Sequence, residues 1–150
     1  MTRRQKVADD CRKKDFNCAQ CLLTAFGDLT GLPYETGLAV AGGLGGGIGC
    51  KEEVCGALSG AILVLGLLVP HTKDNDLETK RHIYDVAAEF RRRFVERFGC
   101  ARCRELLDTQ QSEADWAMAA ELKSRRICAV FIVEAVRMLE EYLRELGIPA

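Results

Sequence analysis

Gly42 to Gly60 reads GGLGGGIGCKEEVCGALSG, and what these glycines serve decides the fold. A phosphate-binding loop of the form G-x-x-x-x-G-K-[ST] would make this an α/β protein, because its backbone amides wrap phosphates between a strand and a helix. Counting back from Lys51 puts Cys50 where the second glycine belongs, and Glu52 stands where a hydroxyl residue is required. A dinucleotide fingerprint G-x-G-x-x-G also fails. No glycine from Gly42 to Gly49 has partners at both later offsets, and no β-rich segment leads in. The stretch therefore reads as a glycine-rich approach to a cysteine-bearing helix.

Working outward, Val54 to Val69 (VCGALSGAILVLGLLV) is uncharged throughout. A membrane span needs about 20 mostly apolar residues. This shorter run holds Gly56, Ser59, Gly60 and Gly66 and is bracketed by Lys51, Glu52, Glu53 and the polar HTKDND, so it fits a buried central helix. The spacing predicts that helix over Lys51 to Leu68. Upstream, Val7, Ala8 and Cys11 give a short first helix. Asn17 with Gln20 three residues later forms a capping-box pattern that opens a second helix, continued by Leu22, Ala25, Phe26 and Leu29 and ended by Gly31 and Pro33. Tyr34 to about Leu44 reads as a third. Downstream, Ile83, Val86, Ala87, Phe90, Phe94 and Phe98 form one stripe of a helix over Leu77 to Phe98, closed by Gly99. A short helix from about Ala101 to Leu107, a polar connection DTQQSEAD, and a final helix from about Glu121 to Leu146 complete the chain. The expectation is an all-α, single-domain bundle, residues 1–150, of about five to six helices.

The charge balance of 21 basic against 22 acidic residues favours neither nucleic acid nor an anionic membrane. Arg91, Arg92 and Arg93 read as a solvated helix face. The opening MTRRQKVADD lacks an apolar export segment, which leads to the expectation of a cytoplasmic, reducing setting. There, eight cysteines point to metal binding, redox chemistry or core packing rather than structural disulfides.

Two C-x-x-C pairs, Cys18/Cys21 and Cys100/Cys103, would supply four thiolates, the set that tetrahedral zinc and iron–sulfur clusters require. They are far apart in sequence, so their convergence depends on the fold. Cys50 and Cys55 add a C-x4-C pair. Position within helices provides a second criterion. Cys18, Cys55 and Cys103 fall near predicted helix starts, where amides and the helix dipole favour a thiolate. Cys128 lies on the apolar stripe shared by Phe131, Ile132, Ala135, Leu139, Tyr142 and Leu146, and reads from spacing as core. Gly56 and Gly60 leave one side of the Cys55 helix without bulk, so another backbone or a cofactor can come close.

Cys18 in NCAQ, Cys55 in CGALSG, Cys103 in CRELL and Cys128 in RRICAVFIVEA, with the lead-in GGLGGGIG, resemble the C_GCAxxG_C_C family of redox-active proteins, named for a C, CGAxxG, C, C pattern. The resemblance covers nearly the whole chain. It implies that these four cysteines act together and moves Cys128 from core to ligand or redox partner. A similar module occurs in split-Soret cytochromes, where the cysteines are thought to hold an iron–sulfur cluster. The chain has no C-x-x-C-H, so haem is not implied. Cys11, Cys21, Cys50 and Cys100 lie outside the pattern; Cys50, Cys21 and Cys100 stand as auxiliary candidates, and Cys11 as dispensable.

Three readings follow. The first is an iron–sulfur electron-transfer protein built on Cys18, Cys55, Cys103 and Cys128, served by an unidentified redox partner protein. The second is a metal-free thiol-disulfide oxidoreductase with Cys55 or Cys103 as nucleophile, although such enzymes favour a βαβ setting. The third is a structural zinc module. Homo-oligomers stay open. His71 and His82 lack ligand-spaced companions and read as solvated. Glu52 and Glu53 complement a helix start, and Trp116 and Tyr142 read as core or interface residues.

Overall fold

The computed structural model describes residues 1–150 and contains nine α-helices and no strands. They are α1 (Arg3–Arg12), α2 (Cys18–Ala25), α3 (Gly27–Thr30), α4 (Tyr34–Ala41), α5 (Gly56–Leu68), α6 (Leu77–Phe98), α7 (Cys103–Asp108), α8 (Glu113–Glu121) and α9 (Cys128–Glu145), with a 3-10 turn over Gly42–Leu44. The all-α expectation holds. The expected count of five to six is too low: the second predicted helix divides into α2 and α3, and a segment read as largely polar connection forms α8. Phe26, fully buried, takes a non-helical backbone between α2 and α3. The 3-10 turn takes over after α4 at Gly42. Lys123 adopts a left-handed φ of 53° and divides the polar segment, now α8, from α9. Helix α8 escaped the periodicity reading because it buries only Asp115 and Ala119. Trp116 is 48% exposed, so it is no core residue.

Two reciprocal capping boxes, Thr2 with Gln5 and Asn17 with Gln20, start α1 and α2 by satisfying amides that have no partner within the helix. The core runs along α9, buried from Ala129 to Val136, against α1, α2 and α5. Phe94, Phe98 and Phe131 interlock, with centroids 4.8 Å apart for Phe94–Phe98 and 4.9 Å for Phe98–Phe131. Tyr142 donates its hydroxyl proton to the Val86 carbonyl at 3.1 Å, tying α9 to α6. Such edge and tilted aromatic contacts are worth about 1 kcal/mol beyond their burial. No helix is long and apolar enough to cross a membrane.

Helices α2 and α5 make the closest packing. A β-carbon at Gly60 would stand 2.9 Å from the Ala19 carbonyl oxygen and 3.1 Å from the Ala19 Cα; one at Gly56 would stand 2.8 Å from Cys18 Sγ. The small residues of CGALSG thus let α5 lie against the backbone of α2 at Cys18-Ala19.

Candidate functional site

Helix α5 starts at Gly56 rather than Lys51, and the reason builds the site. Gly46, Gly47, Ile48, Gly49 and Cys50 run consecutively at φ between 58° and 73°, a left-handed turn that no right-handed helix can continue. Its amides pair backward over long loops, Gly49 to the Gly43 carbonyl and Glu53 to the Gly47 carbonyl, both at 2.9 Å. Residues 52–55 then run antiparallel to 101–104. Cys55 N donates to Ala101 O at 2.9 Å, Cys103 N to Glu53 O at 2.6 Å, and Val54 bridges Arg102. This crossing sets Cys55 and Cys103 side by side although 47 residues separate them in the sequence.

Cys55 is the N-cap of α5, and Cys18, Cys103 and Cys128 are the first residues of α2, α7 and α9. All four line one cavity, accompanied only by Leu106, Leu107 and Phe131. The free space is about 10 Å³, roughly the room of one water molecule. No carboxylate, imidazole or hydroxyl shares the lining. Four helix N-termini, that of α7 being the shortest, therefore border an apolar hole furnished only with thiols. Asn17 braces the Cys18 end by donating to the Gly42 carbonyl at 3.0 Å, while Gln20 donates to the Leu38 carbonyl at 2.9 Å.

The helix-start argument for thiolates is overturned for Cys55 and Cys103. Burial pushes Cys55 far above the usual thiol range, reinforced by Cys18 and Cys128; the Ala57 and Leu58 amides oppose this only in part. Burial also raises Cys103, with Cys18, Glu52 and Cys50 adding to it. Cys128 is pushed up to about 11, first by burial and then by Cys18 and Cys103. Desolvation and mutual repulsion outweigh the helix ends, so without a metal these thiols keep their protons.

The two C-x-x-C pairs do not meet. Cys21 is fully buried between α1 and α2, where its thiol donates to the Phe16 carbonyl at 3.5 Å. Cys100 is half-buried near Thr109 and Glu105. Cys50 is exposed on the left-handed loop, its sulfur 2.6 Å from where a β-carbon on Gly46 would stand. All eight cysteines are free thiols, and His71 and His82 are exposed. The reading of Cys128 as core is corrected by the placement of its helix start: the apolar stripe begins at the cysteine instead of running through it. Leu106, Leu107 and Phe131 were not singled out as lining. Their signal was present, since they lie three or four residues after Cys103 and Cys128, on the same helix faces. Gly47 was likewise missed as a contact of the site; a β-carbon there would stand 2.8 Å from Cys103 Cβ.

Residues 16–142 match the family model described as "Putative redox-active protein (C_GCAxxG_C_C)". No curated protein and no solved structure matches the chain significantly.

Proposed function

This chain belongs to the C_GCAxxG_C_C family of redox-active proteins, and we propose that its four helix-start cysteines hold an iron–sulfur cluster that transfers single electrons to and from a partner protein. The observation that carries the reading is the lining of the cavity: Cys18, Cys55, Cys103 and Cys128, each at the N-terminal end of a different helix, with Leu106, Leu107 and Phe131 as the only company. All-thiolate ligation is what iron–sulfur clusters take, and a cluster with its thiolates is anionic, which helix N-termini favour. When bound, the cluster supplies a one-electron couple.

The chain's own residues have three tasks. The four sulfurs give up their protons on ligation, which removes the cost that burial imposes on a free thiolate. Leu106 and Phe131, both buried, give the sulfurs an apolar flank that tunes potential through local polarity, while Leu107 stands at the exposed edge of the cavity. The lack of a side chain at Gly56 lets the start of α5 lie directly against Cys18 of α2, where a β-carbon would stand 2.8 Å from Cys18 Sγ. Occupying a space of about 10 Å³ requires the thiol side chains to give way. A single ion fits less well. Zinc–sulfur bonds of about 2.3 Å demand tightly gathered sulfurs, and no three His, Cys, Asp or Glu side chains stand close enough to share one ion. A multi-iron cluster spreads its ligands over several metal atoms. A nucleophilic thiol enzyme is disfavoured because burial raises the thiols instead of lowering them.

Anaerobic purification followed by visible absorption and metal and sulfide analysis tests this. Brown protein with iron and acid-labile sulfide supports the reading. Colourless protein with stoichiometric zinc, or metal-free protein that reversibly forms a disulfide among the four cysteines, refutes it.

A further inference from the structure

We propose that the connection between α8 and α9, residues 122–127, is the docking surface for an acidic one-electron carrier protein, gripped by Lys123, Arg125 and Arg126. The electron's destination rests on the cluster reading; the surface stands on its own observations. All three side chains are exposed. Arg93, Arg97, Arg104 and Arg137 each hold a carboxylate of this chain, whereas Lys123, Arg125 and Arg126 hold none, so they can meet a partner without first breaking an internal pair. The only carboxylate in residues 121–127 is Glu121, which leaves this connection positive on a chain that is nearly neutral.

The loop is shaped before any partner arrives. Leu122 and Ile127, at 6% and 4% exposure, anchor its ends in the core. The Arg12 guanidinium donates to the Leu122 carbonyl at 2.9 Å. Ser124 closes a turn across Arg125, its hydroxyl accepting from the Arg126 amide at 3.1 Å and donating to the Arg126 carbonyl at 3.0 Å. Charges on a preorganised backbone lose less entropy on binding. Their place matters as much. Arg126 stands two residues before Cys128, a reach of at most about 7 Å. Cys128 lines the thiol cavity, and Leu107, 47% exposed, is the most open residue of that lining. The carboxylates on the Cys103 side are largely engaged: Glu52 with Arg104 at 2.7 Å, and Glu53 and Glu105 with Arg102, each at 3.5 Å. Asp108 is the one unpaired carboxylate of α7.

Free guanidinium groups match carboxylates in a bidentate fork, so the complementary partner presents Asp and Glu. Nucleic acid fits less well, since three cations neutralise few phosphates and the chain's net charge is -1. In each encounter the reduced carrier loses one electron and the cluster gains it, with no bond made or broken.

The test is calorimetric titration of anaerobically purified full-length protein with plant-type ferredoxin as the acidic carrier, beside cytochrome c as a basic carrier and a random-sequence RNA oligonucleotide. Binding is read without iron, and iron content is measured separately on the same sample. Ferredoxin should bind the parent at about 0.01 M salt and lose most of its affinity at about 1 M, where the Debye length shrinks from about 30 Å to about 3 Å. Arg125→Glu/Arg126→Glu should weaken binding about ten-fold, whereas Arg81→Glu/Arg91→Glu, the same charge change on exposed arginines of α6, should weaken it less than about two-fold. In iron-loaded protein the first variant should slow reduction by ferredoxin by a similar factor and leave reduction by a small photoreduced deazaflavin unchanged. Iron-free protein that binds ferredoxin through Arg125 and Arg126 would sink the cluster reading and uphold the docking surface. Equal losses in the two double variants, tighter binding of cytochrome c or RNA than of ferredoxin, or no ferredoxin binding at low salt would overturn the proposal.

Discussion

Replacing Gly60 by alanine adds one methyl group where the structure leaves no room. Its β-carbon would stand 2.9 Å from Ala19 O, 3.1 Å from Ala19 Cα and 3.1 Å from Leu22 Cβ. Two of these neighbours are backbone atoms of α2, which cannot rotate away, so the helix itself must move. Overpacking of this kind costs about 1–3 kcal/mol. Alanine's better helix propensity returns up to about 1 kcal/mol, leaving a net loss of about 1–2 kcal/mol. At about 2–4 °C per kcal/mol for a chain of this size, Tm should fall by about 2–8 °C. The internal control lies on the same helix. A β-carbon at Gly66 meets nothing within 4 Å, so Gly66→Ala should keep the propensity gain and raise Tm by a few degrees. Thermal unfolding followed by circular dichroism reads both variants. Equal shifts of the two, or a stabilised Gly60→Ala, would refute the close approach of α5 to α2 at the site.

Asn17→Ala removes the N-cap of α2 and the bond to the Gly42 carbonyl together, and urea titration should show a loss of about 1–2 kcal/mol; a neutral result would mean that the glycine loop is held elsewhere. Ile48 is a β-branched residue at φ 63° and is 46% exposed. Ile48→Gly should therefore stabilise by about 1 kcal/mol by relieving left-handed strain, against little lost packing. In metal-free protein, Cys128 is raised to about 11, above the ~8.5 of an unfolded thiol. The unfolded chain then gives up this proton first, so stability is intact below about pH 8.5 and falls as pH rises toward 11, by about 3 kcal/mol from this group. Denaturation across that range should show a shallower decline for Cys128→Ala; an identical slope would contradict the burial.

Much of this was legible in the sequence because its signals are local. Asn17 and Gln20 announce a capping box within four residues, and Leu77 to Phe98 carries an unbroken apolar stripe; both elements stand where the spacing puts them. The failures are tertiary. Lys51 to Val54 look helical beside an apolar run, yet they pair with residues 101–104, which no local pattern reveals. The start of α9 is set by the left-handed turn at Lys123, so spacing alone filed Cys128 with the core. The two C-x-x-C motifs suggested a shared site by regularity, but Cys18 lines the cavity while the buried Cys21 does not, its thiol donating instead to the Phe16 carbonyl.

The claim that Cys18, Cys55, Cys103 and Cys128 form one ligand set is tested most directly by iron content per chain in Cys128→Ser beside Cys100→Ser, both purified anaerobically and checked for folding by circular dichroism. The account predicts that Cys100→Ser keeps the parent's iron and sulfide while Cys128→Ser loses most of both. Retention of iron by Cys128→Ser with its loss in Cys100→Ser would place the cluster on the paired C-x-x-C motifs and contradict the account.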